Sequence, residues 1–415
     1  MLLLSHPTGN ANVRAAARAF SSVGWLQEFD SCICWKPDSL LANVLPSRLK
    51  AQLGRRSFSD IPIAIQHSYP LREVGRLLID QLPLSRLRRL ESSPFSIDAI
   101  YRSFDRHVAS RLHDIAGLQA VYGYEWSSFH TFRKARSLGL RCIYELPIGY
   151  WRAAREIFQE EAHINPEWAS SLTGLQDSAT KQACKDQELN SADLVIVASE
   201  YVRTTLVAYN ACSAPIAVVP YGAPPPLSIP PPTSYDGPLR VLYVGSLGQR
   251  KGLSYALDAV SALGDQVTLT LIGKPTAPDC VPLQAALQRH HWIRSLPHPQ
   301  ILHQMRCHDV LLFPTLFDGF GLVITEALSQ GLPVITTRHS GGPECIRDGV
   351  EGFIVPIRDS NAIAERLQQL IENRHELARM RMSCLHRASE MAWGHYEQGL
   401  RSVVTQAFFK DSFLA

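Results

Sequence analysis

Apolar residues follow two rhythms in this chain. Between residues 239 and 373, short continuous apolar runs alternate with longer stretches in which apolar positions recur every three or four residues. The continuous runs are "RVLYVGS" (240–246), "VTLTLIG" (267–273), "DVLLFPT" (309–315), "LPVITT" (332–337) and "GFIVP" (352–356). They are short and rich in β-branched residues, as expected of strands covered on both faces. Segments 251–263, 282–290, 299–307, 321–331 and 360–373 have the helical period. Strand–helix alternation of this kind predicts a parallel sheet clothed by helices.

The first half repeats the theme less regularly. "MLLLS" (1–5) precedes a helical run in which Val13, Ala16, Ala17 and Phe20 share a face. Further expected strands are "SCICW" (31–35), "IPIAIQH" (61–67), "LQAVYGY" (118–124), "RCIYELP" (141–147), "DLVIVAS" (193–199) and "IAVVPYG" (216–222). Between the halves, "GAPPPLSIPPPTSYDGP" (222–238) holds seven prolines, which no helix or central strand accommodates. The expected division is a first domain at 1–223, a proline-rich linker at 224–238, a second domain at 239–390 and a terminal helix at 391–415 that packs back across the domains. The fold class expected is α/β, with two doubly wound Rossmann-like domains and a ligand cleft beyond the carboxyl ends of their strands.

Composition narrows the function classes. A length of 415 residues suits two domains, and a net charge of +3 with no run of five like charges gives no reason to expect a nucleic-acid partner. Nine cysteines are scattered, and only Cys32 and Cys34 are close, without metal-ligand spacing. They read as reduced thiols, so the expected location is the cytoplasm. The opening "MLLL" is too short for a secretion signal, and no apolar run approaches the roughly 18 residues that span a bilayer. One local asymmetry stands out: residues 48–89 hold nine Lys or Arg against three Asp or Glu. There, Leu71, Val74, Leu78 and Leu82 share a helical face. A basic amphipathic segment suits peripheral contact with an anionic membrane. A helix packed on its own core with a solvated basic face fits the same pattern.

Two stretches carry the chemistry. "VGSLGQRKG" (244–252) follows a strand and opens a helix. Gly245, Gly248 and Gly252 permit tight turning, and Arg250 and Lys251 place two cations against the positive end of a helix dipole, where a bound anion would justify them. The stretch is neither a Walker loop nor a dinucleotide fingerprint. In "FDGFGLVITEAL" (317–328), Gly319 and Gly321 let backbone amides face a ligand ahead of an apolar helix. Glu326 sits within that helix, where a carboxylate suits a ribose diol, and Asp318 sits in the turn before it. Gly341 and Gly342 precede a further short helix and either line the same cleft or serve a plain turn.

The segment "PTLFDGFGLVITEALSQGLPVITTRHSGGPECIRDGVEGFIVP" resembles the donor-binding segment of retaining glycosyltransferases of family four, the bacterial group 1 type with the GT-B fold, and "VGSLGQRKG" is similar to that family's phosphate loop. The resemblance extends over about 240–373 and is weaker in "VYGYEWSSFHTFRKARSLGLRCIYELPIGYW". It implies transfer of a sugar from a nucleotide diphosphate to an acceptor hydroxyl with retained configuration, without a metal or a further cofactor. The leaving phosphate would itself take the acceptor proton.

By the same resemblance Glu326 would hold the ribose, and Gly319, Phe320, Gly321 and Leu322 would offer amides to the donor. Gly245, Ser246, Arg250 and Lys251 would hold the diphosphate, with Gly9 and Asn10 of "TGNAN" approaching it from the first domain. The family's pattern is Glu-x7-Glu, whereas this chain has Asp318 first, one methylene shorter. Many relatives place Arg where Ser246 stands, and Arg250 is the replacement cation expected here. A first-domain histidine of the family is missing, and Glu125 and Glu145 occupy the corresponding stretches as catalytic candidates. The expected acceptor is a lipid-linked sugar in polysaccharide or glycolipid assembly. The alternatives are a non-catalytic nucleotide-sugar binder, favoured by Ser246 and Asp318, and a two-Rossmann dehydrogenase, disfavoured by the absent fingerprint. A phosphorylase shares the fold, but no specific sign of its pyridoxal lysine is present.

Overall fold

The computed structural model describes residues 1–37, 50, 53–54, 56–79, 91–233 and 235–408. In the first domain the strands are β1 (Leu2–Ser5), β2 (Leu26–Ser31), β3 (Gln66–Ser68), β4 (Ala120–Tyr124), β5 (Arg141–Leu146), β6 (Leu194–Val197) and β7 (Ile216–Val218). They form a sheet in the order β3-β2-β1-β4-β5-β6-β7, parallel throughout. The second sheet comprises β8 (Leu239–Val244), β9 (Val267–Ile272), β10 (His291–Ile293), β11 (Val310–Phe313), β12 (Val334–Thr337) and β13 (Gly352–Val355). Its order, β10-β9-β8-β11-β12-β13, is also wholly parallel. In each sheet the strand order reverses between the first strand and the fourth, β1 and β4 in one and β8 and β11 in the other. These switch points open crevices at the strands' carboxyl ends.

Two strand expectations needed correction, and one strand was not foreseen. The strand expected at 31–35 is Leu26–Ser31, and the chain leaves the sheet just after it. Its polar residues hid it: Asp30, though fully buried, is paired with Arg111 at 2.9 Å, and Glu28 with the same guanidinium at 2.6 Å. The run at 61–67 is a 3-10 turn, Ile63–Ile65, before the three-residue strand β3. The edge strand β10, "HWI", is too short and polar to carry a period.

The helix Leu71–Ile79 turns Leu77 and Ile79 inward, while Leu71, Val74 and Leu78 are exposed. The predicted apolar face therefore points away from the described core, and Leu82 lies outside the described residues. Among the described residues no helix is long and apolar enough to cross a membrane.

The last two helices contact helices of both halves of the chain. The helix Arg374–Glu390 packs on Leu322–Ser329, where buried Arg381 bonds Asp309 at 3.0 Å and the Gly331 carbonyl at 3.3 Å. The helix Trp393–Phe408 then lies along Ala11–Ser21, joined by an Arg18–Glu397 pair at 2.9 Å. One apolar cluster accordingly runs from Phe20 through Tyr221 to Phe320 and Ile324, across both domains.

Candidate functional site

The carboxyl ends of the two sheets meet around the turn 317–321. A Cβ on Gly319 would stand 1.7 Å from the Pro147 carbonyl oxygen just past β5, so only glycine fits there. Ser199, just past β6, donates to the Gly319 carbonyl at 2.5 Å. The ring of Phe317 presses on Gly149, and Tyr201 stacks on His339 at 4.7 Å. Gly319 is thus an interdomain contact, which sequence reasoning read only as a ligand-facing amide. Its N–H donates to Asp318 Oδ1 at 2.8 Å. Phe320 is buried, stacks edge-on to Tyr221 at 5.3 Å, and blocks any Cβ on Gly341. Gly321, at φ +83°, turns the chain into the helix Leu322–Ser329, and Leu322 is half-buried at that helix start.

Two cations of the β8 loop converge on this turn. Lys251 Nζ is paired with Asp318 Oδ2 and lies 4.5 Å from the centre of the Phe313 ring. The Arg250 guanidinium donates to the Phe317 carbonyl at 3.0 Å and stands 3.9 Å from Asp318. Burial, reinforced by Arg250, holds the Lys251 ammonium well below the ordinary lysine range. The loop is built for close approach: a Cβ on Gly252, at φ +69°, would meet the Pro314 carbonyl at 1.9 Å. Gly245 bonds the β9 end through Ile272, and Ser246 is half-buried beside it.

Glu326 lies one turn into its helix and is 21% exposed. His298, at the start of the helix His298–Arg306, meets Glu326 Oε1 through Nε2 at 2.9 Å. That bond raises the histidine's pKa above its usual value. Sequence reasoning missed His298, because a residue 28 positions away signals no contact.

On the first-domain side, the loop after β1 carries Gly9 at φ +66°, and a Cβ there would strike the Phe58 ring at 2.2 Å. Asn10 is exposed and precedes the helix Ala11–Ser21. His6 organises the loop: its Nδ1 accepts from the Thr8 and Gly9 amides at 3.0 and 2.9 Å. Burial pushes its pKa down to about 3, so it stays neutral and keeps that acceptor. A histidine directly after β1 and before a glycine was the available signal.

The two first-domain glutamates separate. Glu125 follows β4 and pairs with Lys185 at 3.5 Å. Glu145 is 1% exposed and takes four donors: Asn12 at 2.8 Å, Tyr221 at 2.7 Å, Tyr122 at 2.5 Å and Tyr396 at 3.1 Å. This corrects the catalytic expectation for Glu145. Its carboxylate is consumed in tying the helix Ala11–Ser21, β4, Tyr221 and the last helix to β5.

Residues 226–384 match the family model described as "Glycosyl transferases group 1". The D-inositol 3-phosphate glycosyltransferase of Corynebacterium diphtheriae is 26% identical over 261 residues, 57% of this chain and 61% of that protein. The chain thus spans about six-tenths of the length of the first curated relatives it matches. The amylovoran biosynthesis glycosyltransferase of Erwinia amylovora is 32% identical over 155 residues, 32% of this chain and 36% of that one. Among solved structures, sucrose-phosphate synthase from Thermosynechococcus elongatus superposes with a TM-score of 0.68 at 17% identity, covering 98% of both chains. Anabaena HepE, solved in complex with UDP, superposes with a TM-score of 0.61 at 15% identity, covering 98% of this chain and 99% of that one. The two parallel sheets and these neighbours make the fold GT-B, and residues 226–384 are similar to group 1 glycosyl transferases.

Proposed function

We propose that the chain is a retaining glycosyltransferase of family four, moving a sugar from a nucleotide diphosphate to an acceptor hydroxyl without a metal. One observation carries the reading: Arg250 and Lys251 converge on the glycine turn whose helix presents Glu326. The two cations are placed to offset charge that develops on a departing diphosphate, as preorganised donors do for any oxyanion. Glu326 is placed to accept from a ribose diol. In the reaction the bond from the anomeric carbon to the phosphate oxygen breaks. The acceptor oxygen attaches on the same face, and its proton passes to the leaving phosphate. Asp318, paired with Lys251, stands in the turn that would face the donor sugar. The UDP bound in HepE supports a nucleotide donor, and the relatives' names support acceptors in glycolipid or polysaccharide assembly.

The exposed Leu71, Val74 and Leu78, beside exposed Arg72, suit contact with an anionic bilayer that presents such an acceptor. Flotation with anionic vesicles tests this, and a protein that stays unbound removes it. The donor reading is tested by thermal shift with UDP, GDP, ADP and their sugars, since a ligand of the folded state raises its apparent stability. Sugar release from the stabilising donor then separates an enzyme from a non-catalytic binder.

A further inference from the structure

The segment that follows β5 belongs to the first domain by chain order and contacts both domains. It comprises the helix Trp151–Ile164 and two 3-10 turns, Pro166–Ser171 and Thr173–Gln176. Its start is anchored to the first domain. Tyr150 Oη and Trp151 Nε1 donate to Asp186 at 2.7 and 2.6 Å, and Arg152 pairs with the same carboxylate at 2.8 Å. Its far end is anchored to the second domain, where Trp168 is buried in the core beneath β8.

Between these anchors lies Glu161, wholly buried on the helix. Its carboxylate accepts from Gln249 Nε2 at 2.6 Å, Asn165 Nδ2 at 2.7 Å, Arg358 Nε at 2.8 Å and Tyr255 Oη at 3.0 Å. Arg358 keeps a left-handed backbone, φ +62°, and also pairs with Glu160 at 2.7 Å. Gln249 is itself wholly buried and immediately precedes Arg250 and Lys251. Its backbone N–H donates to Ser171 Oγ at 2.9 Å, and Thr276 Oγ1 reaches both the Leu247 and Ser171 carbonyls, at 3.0 and 3.3 Å. The cation-bearing loop is thus gripped at its backbone and at one side chain by residues 78 and 88 positions upstream.

We propose that residues 151–176 are a strut by which the first domain positions the donor-phosphate loop of the second, with Glu161 and Ser171 as positioning residues for Arg250 and Lys251. The inference rests on the donor reading above. The physical need is clear. A loop with glycines at 245, 248 and 252 has much backbone freedom to lose, and its two cations help a phosphate only if that loss is met before the ligand arrives. A buried carboxylate is a poor choice for stability alone, because apolar residues of similar volume often serve as well. A carboxylate with four fixed donors does what an apolar residue cannot, which is to set the direction of Gln249.

Hydrogen exchange of the amides of residues 245–252 and calorimetry with UDP test the strut. Ser171→Ala removes the acceptor of the Gln249 amide while leaving the Glu161 carboxylate in place, at the further loss of the hydroxyl's own bond to the Trp168 carbonyl at 2.7 Å. It should speed exchange at Gln249 and weaken UDP by about tenfold, the equivalent of one lost hydrogen bond. Glu161→Ala should weaken UDP further, and Glu161→Gln should recover part of the loss. Unchanged exchange in Ser171→Ala overturns the proposal. So does a lowered melting temperature in any of these variants with UDP affinity intact, since that describes mere structural support. If Glu161→Ala does not fold, Ser171→Ala decides alone. Failure of the donor reading is seen separately, in wild-type protein that binds none of UDP, GDP or ADP.

Discussion

Lys251 is paired with Asp318, so removing either takes away the other's nearest charged partner. Lys251→Ala should leave the protein folded yet lower kcat by about 10²–10³-fold, the usual effect of deleting one preorganised donor to a developing oxyanion. Steady-state kinetics on the identified donor checks this, and near-normal turnover would take Lys251 out of the chemistry. Glu326→Ala should act on binding, with nucleotide affinity by calorimetry falling about 10–100-fold, the value of charge-assisted hydrogen bonds. Asp318 has a local explanation that its shortness alone did not offer. A side chain of this length closes a bond onto the next amide, Gly319 N–H, and helps hold the turn. These residues were legible in sequence because a strand end, a glycine turn and a helix start bring near neighbours to one crevice. His298 and Gln249 were not, since their partners lie 28 and 88 positions away.

The β1 loop carries a histidine whose protonation is coupled to folding. Its His6 titrates near 6.5 when unfolded but at about 3 when folded, because burial disfavours the imidazolium. Between those values the unfolded chain binds the extra proton, so stability should fall as pH drops from 6.5 towards 3. Asp30 and Glu188 work in the opposite sense. Burial raises their carboxyls to about 7 and about 8, and their contribution is lost as pH rises from roughly 4 through those values. His6→Asn retains a side-chain acceptor and cannot titrate. It should flatten the acid limb of urea midpoints measured from pH 4 to 7 and leave the alkaline limb in place. At this scale, continuous apolar strands were legible because parallel strands are covered on both faces. β2 was obscured by carboxylates whose partner, Arg111, comes from a distant helix.

Among the described residues, the contacts that hold the molecule together include the Gly319 contact, the Glu161 strut and the Glu145 clamp. Glu145→Ala leaves three tyrosine hydroxyls and Asn12 short of a buried acceptor, and should cost on the order of 3–5 kcal/mol by urea denaturation. Glu145→Gln keeps one acceptor oxygen and should cost less. An equal loss in both would mean that charge, rather than hydrogen-bond number, is what the clamp needs. Sequence alone determined what depends on neighbours along the chain. That covers two doubly wound sheets, the proline-rich break between them, and the cations, glycine turn and Glu326 beside their strand ends. Only the tertiary structure decided which glutamate is buried as a clamp, that residues 151–176 bridge to the second domain, and that Gly319 is an interdomain contact. A residue's periodicity records which face it occupies. It carries no record of which distant donor will meet its carboxylate once two domains close on each other.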